Sequence, residues 1–166
     1  MIVAVTKDAS DTQRLAEGLA GIIMPGDVLV LAGDLGAGKT ALTQGLARGL
    51  GVAEQVTSPT FTLARTYECR NRSGLRLNHL DMYRIGYLQE ALDMGLADEF
   101  VDDEAVTVIE WGDVVTPAIP SSYLEIRLTY GTDDDERVLT MHLVGTSWVR
   151  RAVQIQQILG HWLAAD

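Results

Sequence analysis

Apolar residues along this chain occur in three spacings: unbroken runs, helical stripes and strict alternation. Ile2-Val3-Ala4-Val5, Asp27-Val28-Leu29-Val30-Leu31-Ala32 and Ala105-Val106-Thr107-Val108-Ile109-Glu110 are runs. Their β-branched content and length predict strands, and the last has the continuous apolar character of a central strand covered on both faces. Leu15, Leu19 and Ile22 form a first helical stripe, with Ser10 and Gln13 spaced as a capping box and Pro25-Gly26 as its end. Ala41, Leu42, Leu46 and Leu50 form a second over residues 39–50, with Gly51 placed as its C-cap. Leu88, Leu92 and Leu96 predict a short third helix. Trp148, Ala152, Ile155, Leu159 and Trp162 predict a closing amphipathic helix over 148–165, with Arg150, Arg151, Gln154, Gln157 and His161 off its apolar face.

The alternating segments pair into hairpins. Residues 62–69 and 75–81 flank the turn Asn71-Arg72-Ser73-Gly74, and Leu75, Leu77 and Leu80 give the second strand one wet face. Residues 123–130 and 137–144 flank Gly131-Thr132-Asp133-Asp134-Asp135 and predict a hairpin at the edge of the sheet. No repeat, low-complexity segment or linker divides the chain, so residues 1–166 are expected to form one domain.

One stretch carries clear chemistry. Gly33-Asp34-Leu35-Gly36-Ala37-Gly38-Lys39-Thr40 matches the phosphate-binding pattern Gly-x-x-x-x-Gly-Lys-Ser/Thr without a mismatch, and it lies between a predicted strand and a predicted helix. That order lets backbone N–H groups and the positive end of the helix face phosphate oxygens. Lys39 then supplies a point charge to the β- and γ-phosphates, and Thr40 a hydroxyl for Mg²⁺. The expected fold class is therefore α/β, a P-loop NTPase-like three-layer fold with a central mixed β-sheet flanked by helices.

The metal also needs a carboxylate, and a buried strand ending in an acid is the usual source. Asp81 and Glu110 both qualify, and the apolar run before Glu110 favours it as the residue nearer the cation. Thr57-Ser58-Pro59-Thr60-Phe61 has two readings, a proline-fixed connection or a mobile loop whose hydroxyls, Thr60 above all, sense the terminal phosphate. The guanine-reading pattern Asn-Lys-x-Asp is absent, and no aspartate has a glycine three residues later, so ATP fits better than GTP.

Composition narrows the partners. The net charge is −10, and Lys7 and Lys39 are the only lysines, so tight direct binding of nucleic acid by this chain is not expected. Cys69 is the sole cysteine, which leaves no disulfide framework and suits a reducing cytoplasm. No apolar run reaches the length of a membrane span, and the first six residues lack the form of a secretory leader.

Four motifs in order resemble one family. These are the loop 33–40, Ser58-Pro59-Thr60-Phe61-Thr62-Leu63, His79-Leu80-Asp81-Met82-Tyr83-Arg84 and Glu110-Trp111, and together they resemble the TsaE family, also called YjeE. The resemblance implies a small bacterial P-loop ATPase, weakly active alone, that works with the TsaD–TsaB complex to make threonylcarbamoyladenosine beside the tRNA anticodon. The tRNA would then be held by the partner. It also implies roles for single residues. Lys39 and Thr40 would hold phosphate and magnesium, with Gly33, Gly36, Ala37, Gly38 and Ala41 in the loop and first turn. Glu110 would bind magnesium, Asp81 would be needed for activity, and Trp111 and Thr12 would lie at the nucleotide. Ser58, Thr60, Tyr83 and Arg84 are the expected coupling elements. Ala41 departs from the family, which often has a second hydroxyl there; a backbone contact to phosphate survives that change. A small-molecule kinase of P-loop type is the alternative, although no lid-length insertion is evident.

Overall fold

A computed structural model describes residues 1–164. A strand, Ile2–Thr6 (β1), leads into the helix Ala9–Leu19 (α1), and Val28–Ala32 (β2) leads into Lys39–Leu50 (α2). Then come Ala64–Glu68 (β3), Arg76–Asp81 (β4), the short helices Leu88–Asp93 (α3) and Ala97–Phe100 (α4), and Ala105–Glu110 (β5). Tyr123–Tyr130 (β6) and Arg137–Val144 (β7) precede Thr146–Arg150 (α5) and Ala152–Leu159 (α6).

The seven strands make one mixed sheet in the order β1-β7-β6-β2-β5-β4-β3. β6, β2, β5 and β4 run parallel, while β3 and β7 pair antiparallel with their neighbours. Because side chains alternate along each strand, the sheet has two apolar faces. Leu29, Leu31, Val106, Val108 and Ile126 point to the face covered by α1, α2 and α6. Val28, Val30, Leu80 and Ile109 point to the other, closed by Ala91 of α3 and Phe100 of α4. The result is the three-layer α/β arrangement expected.

α1 and α2 lie unusually close, and glycine is the reason. A Cβ at Gly45 would collide with the main chain of Gln13, and one at Gly49 would meet the Ala20 Cβ at 2.5 Å and the Glu17 carbonyl at 2.6 Å. The helix that follows the glycine loop is thus seated backbone to backbone on α1.

Five expectations change. Asp8, not Ser10, caps α1, its side chain accepting from Asp11 N–H at 2.7 Å, and the Gln13 amide instead reaches Gln44. β4 has no wet face, because its polar residues are buried against partners rather than facing water. There Asn78 accepts from Thr66 and donates to Asp102. The β6–β7 hairpin is not at the edge. β6 lies next to β2, and β1 is the outer strand, bridged to Leu163. The third helix ends at Asp93, and a separate turn, α4, follows.

The last helix is broken at Arg151, which turns inward. Its guanidinium grips Asp27 at 2.6 and 2.8 Å and lies 3.8 Å over the Trp148 ring. The predicted helix end at Ala165 lies outside the described residues.

Candidate nucleotide site

The carboxyl ends of the parallel strands β2, β5 and β4 point the same way, and the candidate residues gather there. After β2 the chain turns through Gly33 (φ 139°), Gly36 (φ 80°) and Gly38 (φ 105°) into the first turn of α2. A side chain at Gly33 would strike the Leu128 carbonyl of β6, so this turn needs glycine on two counts. The loop is braced from outside by two residues with no local sequence signal. Tyr130 Oη donates to the Leu35 carbonyl and Arg137 Nε to the Ala37 carbonyl, both at 3.1 Å.

Lys39 is buried, and its Nζ donates to the carbonyls of Gly33 (2.7 Å) and Asp34 (2.9 Å) while sitting 3.9 Å over the Trp111 ring. Burial pulls its pKa below the ordinary lysine value, and nearby Glu110, Asp81 and Asp34 oppose that shift only in part. Thr40 Oγ1 donates to Glu110 at 3.0 Å (Oε1) and 3.3 Å (Oε2). The strand end after β5 is therefore tied to the first turn of α2. Trp111 holds a left-handed backbone (φ 57°), which points its ring back over Lys39 and against Tyr83, 5.2 Å away.

Asp81 is the register partner of Glu110, and its contacts are different. One oxygen accepts from Ser58 Oγ (2.7 Å) and Thr60 Oγ1 (2.8 Å), and the other from Tyr83 N–H (3.0 Å). Ser58 Oγ and Thr60 Oγ1 lie 2.7 Å apart as they converge on that one oxygen. The hydroxyl loop is thus pinned to the end of β4 through this carboxylate. Arg84 lies 4.5 Å over the exposed Phe61 ring, outside the cleft.

The result is a cleft of about 340 Å³ walled by loop, helix start, hydroxyl loop and both strand ends. Gly36, Gly38, Lys39, Thr40, Ala41, Ser58, Thr60, Asp81, Tyr83, Glu110 and Trp111 all line it. Gly33 and Ala37 support it from behind. Thr12 is not brought to this cleft. It is buried in α1, with its hydroxyl 2.7 Å from Thr6 Oγ1 and donating to the Asp8 carbonyl. His79, the first residue of the motif 79–84, was assigned no role from the sequence but is a participant. Its Nε2 lies 2.8 Å from Glu110 Oε1, wholly buried.

A glycine loop opening a helix beside a buried lysine, a hydroxyl and a strand-end carboxylate is a geometry suited to phosphate oxygens, here on an α/β frame. Comparison with known proteins narrows this. The model of the family "Threonylcarbamoyl adenosine biosynthesis protein TsaE" matches residues 6–139. A Bacillus subtilis (strain 168) relative named tRNA threonylcarbamoyladenosine biosynthesis protein TsaE is 40% identical over 86% of this chain and 86% of its own. Relatives of the same name from Treponema pallidum (40% identical, covering 81% of this chain and 96% of theirs) and Streptomyces coelicolor (37%, 86% and 97%) agree. The crystal structure of Bacillus subtilis YdiB superposes with a TM-score of 0.77 at 32% identity, over 95% of this chain and 97% of that one. The chain belongs to the TsaE family. Among the described residues no helix is long and apolar enough to cross a membrane.

Proposed function

We propose that the cleft binds ATP with Mg²⁺ and hydrolyses it, and that this supports a TsaD–TsaB partner complex in threonylcarbamoylating the tRNA adenosine beside the anticodon. The observation that carries the reading is the junction of Thr40 and Glu110, 3.0 Å apart at the start of a glycine-loop helix. A hydroxyl and a carboxylate form an all-oxygen donor pair, the kind that suits Mg²⁺ better than softer ions. Thr40 and Glu110 would hold the cation, which when bound offsets charge on the terminal phosphates.

The chain's own part is positioning and charge. Loop N–H groups and the helix start face the phosphates, and Lys39 neutralises them from a buried seat. Trp111 and Tyr83 form one side of the cleft, their rings 5.2 Å apart. Asp81 keeps the hydroxyls of Ser58 and Thr60 at the cleft, where they would serve a bound terminal phosphate. The acidic balance of the chain supports leaving the tRNA to the partner.

The test is phosphate release by the chain alone, with a purified TsaD–TsaB pair, and with that pair plus tRNA. A low rate alone that rises with the pair, together with ATP-dependent formation of modified tRNA, is expected. Modified tRNA formed by the pair equally well without this chain would sink the partner reading. ATP consumption that instead yields a phosphorylated small acceptor would replace it with a kinase.

A further inference from the structure

We propose that His79 is the positioning residue that fixes the Glu110 carboxylate for the cation, an inference that rests on the nucleotide–metal reading of the cleft. β4 and β5 pair in parallel register, with His79 opposite Val108 and Asp81 opposite Glu110. His79 and Asp81 therefore share the face turned toward α2, and the imidazole lies beneath the Glu110 side chain rather than beside it. A carboxylate can only accept, so His79 Nε2 is the donor in the 2.8 Å contact to Oε1. The same oxygen receives the Thr40 hydroxyl at 3.0 Å, whereas Oε2 has only the 3.3 Å approach of Thr40. One oxygen is thus held by a side chain with no exposure, and the other has no contact besides Thr40 among the described residues.

Burial makes this contact informative. His79 sits in the interior of the sheet with 0% exposure, and its second nitrogen, Nδ1, has no hydrogen-bond partner among the described residues. A leucine there would leave no polar atom unpartnered, so packing alone does not account for an imidazole at this position. The single bond it makes goes to the carboxylate that completes the candidate cation site. Groups that hydrogen-bond a metal's carboxylate ligand set its orientation, and losing one commonly weakens metal binding by about 10–100-fold.

The experiment compares wild type with His79→Leu and His79→Gln. Leucine removes the donor at similar size, and glutamine restores an N–H at the end of the side chain. Three quantities are read: Mn²⁺ binding to the protein–ADP complex by electron paramagnetic resonance, ADP binding in EDTA by isothermal titration calorimetry, and the melting temperature. His79→Leu is expected to weaken Mn²⁺ binding by about 10–100-fold, leave metal-free ADP binding unchanged, and melt no lower than wild type. His79→Gln should recover most of the Mn²⁺ affinity. Wild-type Mn²⁺ affinity in His79→Leu overturns the proposal. So does a loss of Mn²⁺ binding that comes only together with lost metal-free ADP binding and a lower melting temperature. If wild type with ADP takes up no Mn²⁺ beyond that held by ADP alone, the metal reading of the cleft itself fails.

Discussion

Asp81 and Glu110 stand opposite each other in register at the ends of neighbouring parallel strands, yet they hold different parts of the cleft. Glu110 is bound to Thr40 and His79, Asp81 to Ser58, Thr60 and the Tyr83 N–H. Two acids of one rank are thus divided between the helix start and the hydroxyl loop. Replacing each should separate their effects. Glu110→Ala is expected to lower Mg²⁺-dependent turnover by about 10²-fold or more and to weaken metal-linked nucleotide binding. Asp81→Asn is expected to leave nucleotide affinity within a few-fold while lowering turnover, because it frees the loop rather than removing a phosphate or metal contact. Steady-state kinetics beside nucleotide titrations distinguish them, and normal turnover in a folded Glu110→Ala protein would remove that residue from the metal site.

Lys39 gives a test with an inverted sign. Burial pulls its pKa down, so the charged form is disfavoured by folding, and the cost is present at every pH below the folded pKa. Lys39→Met keeps the apolar stem and removes the charge. The variant should melt no lower than wild type while losing about 10–100-fold in ATP affinity, the scale of a charge-assisted phosphate contact. Differential scanning fluorimetry with and without ATP reads both, and a marked fall in melting temperature without nucleotide would contradict the assignment.

Asp11 predicts a pH dependence away from the cleft. Burial would raise its pKa, but hydrogen bonds from the Lys7 N–H, the Trp162 indole and Arg14 more than offset this and hold the carboxyl below the usual range. A depressed folded pKa stabilises above the unfolded value, near 3.9 for aspartate, and that contribution is lost as pH falls from there through the folded pKa. Asp11→Asn should cost about 1–2 kcal/mol at neutral pH, with the gap to wild type closing as pH falls below the unfolded aspartate value. Urea unfolding across this range is the measurement.

The Arg151–Asp27 pair predicts non-additivity. Both groups are buried, the contact is bidentate, and Asp27 also accepts from Met24 N–H at 2.7 Å. Arg151→Met alone should destabilise by about 3–5 kcal/mol, because it strands a buried charge. Adding Asp27→Asn should recover part of the loss. A double-mutant cycle in urea with no coupling would show the pair to be incidental.

Legibility in the sequence followed the reach of each interaction. β2, β5, the glycine loop and α2 are encoded within a few residues of themselves, and all were readable, as were the cleft residues the motifs contain. β4 was misread because Asn78 and His79, on opposite faces, each look solvent-facing when their partners, Asp102 and Glu110, are hidden by distance along the chain. Arg151 read as a surface charge for the same reason, since its partner is 124 residues away. The braces from Tyr130 and Arg137 to the glycine loop span 95 and 100 residues and leave no periodic trace. The Asp8 cap was lost to a nearby serine with equally suitable chemistry. What failed was the identity of long-range partners for polar side chains.

The glycine contacts between α1 and α2 have a mechanical consequence. With Gly45 and Gly49 pressed on the backbone of α1, the second helix has no slack to slide, tilt or rotate without opening that interface. It is a fixed anvil, and the loop braced by Tyr130 and Arg137 shares its rigidity. Movement linked to nucleotide is therefore expected in the opposite wall, where the Asp81 carboxylate gathers Ser58, Thr60 and the Tyr83 N–H. Amide hydrogen exchange should record that asymmetry, with α2 silent and the hydroxyl loop responding.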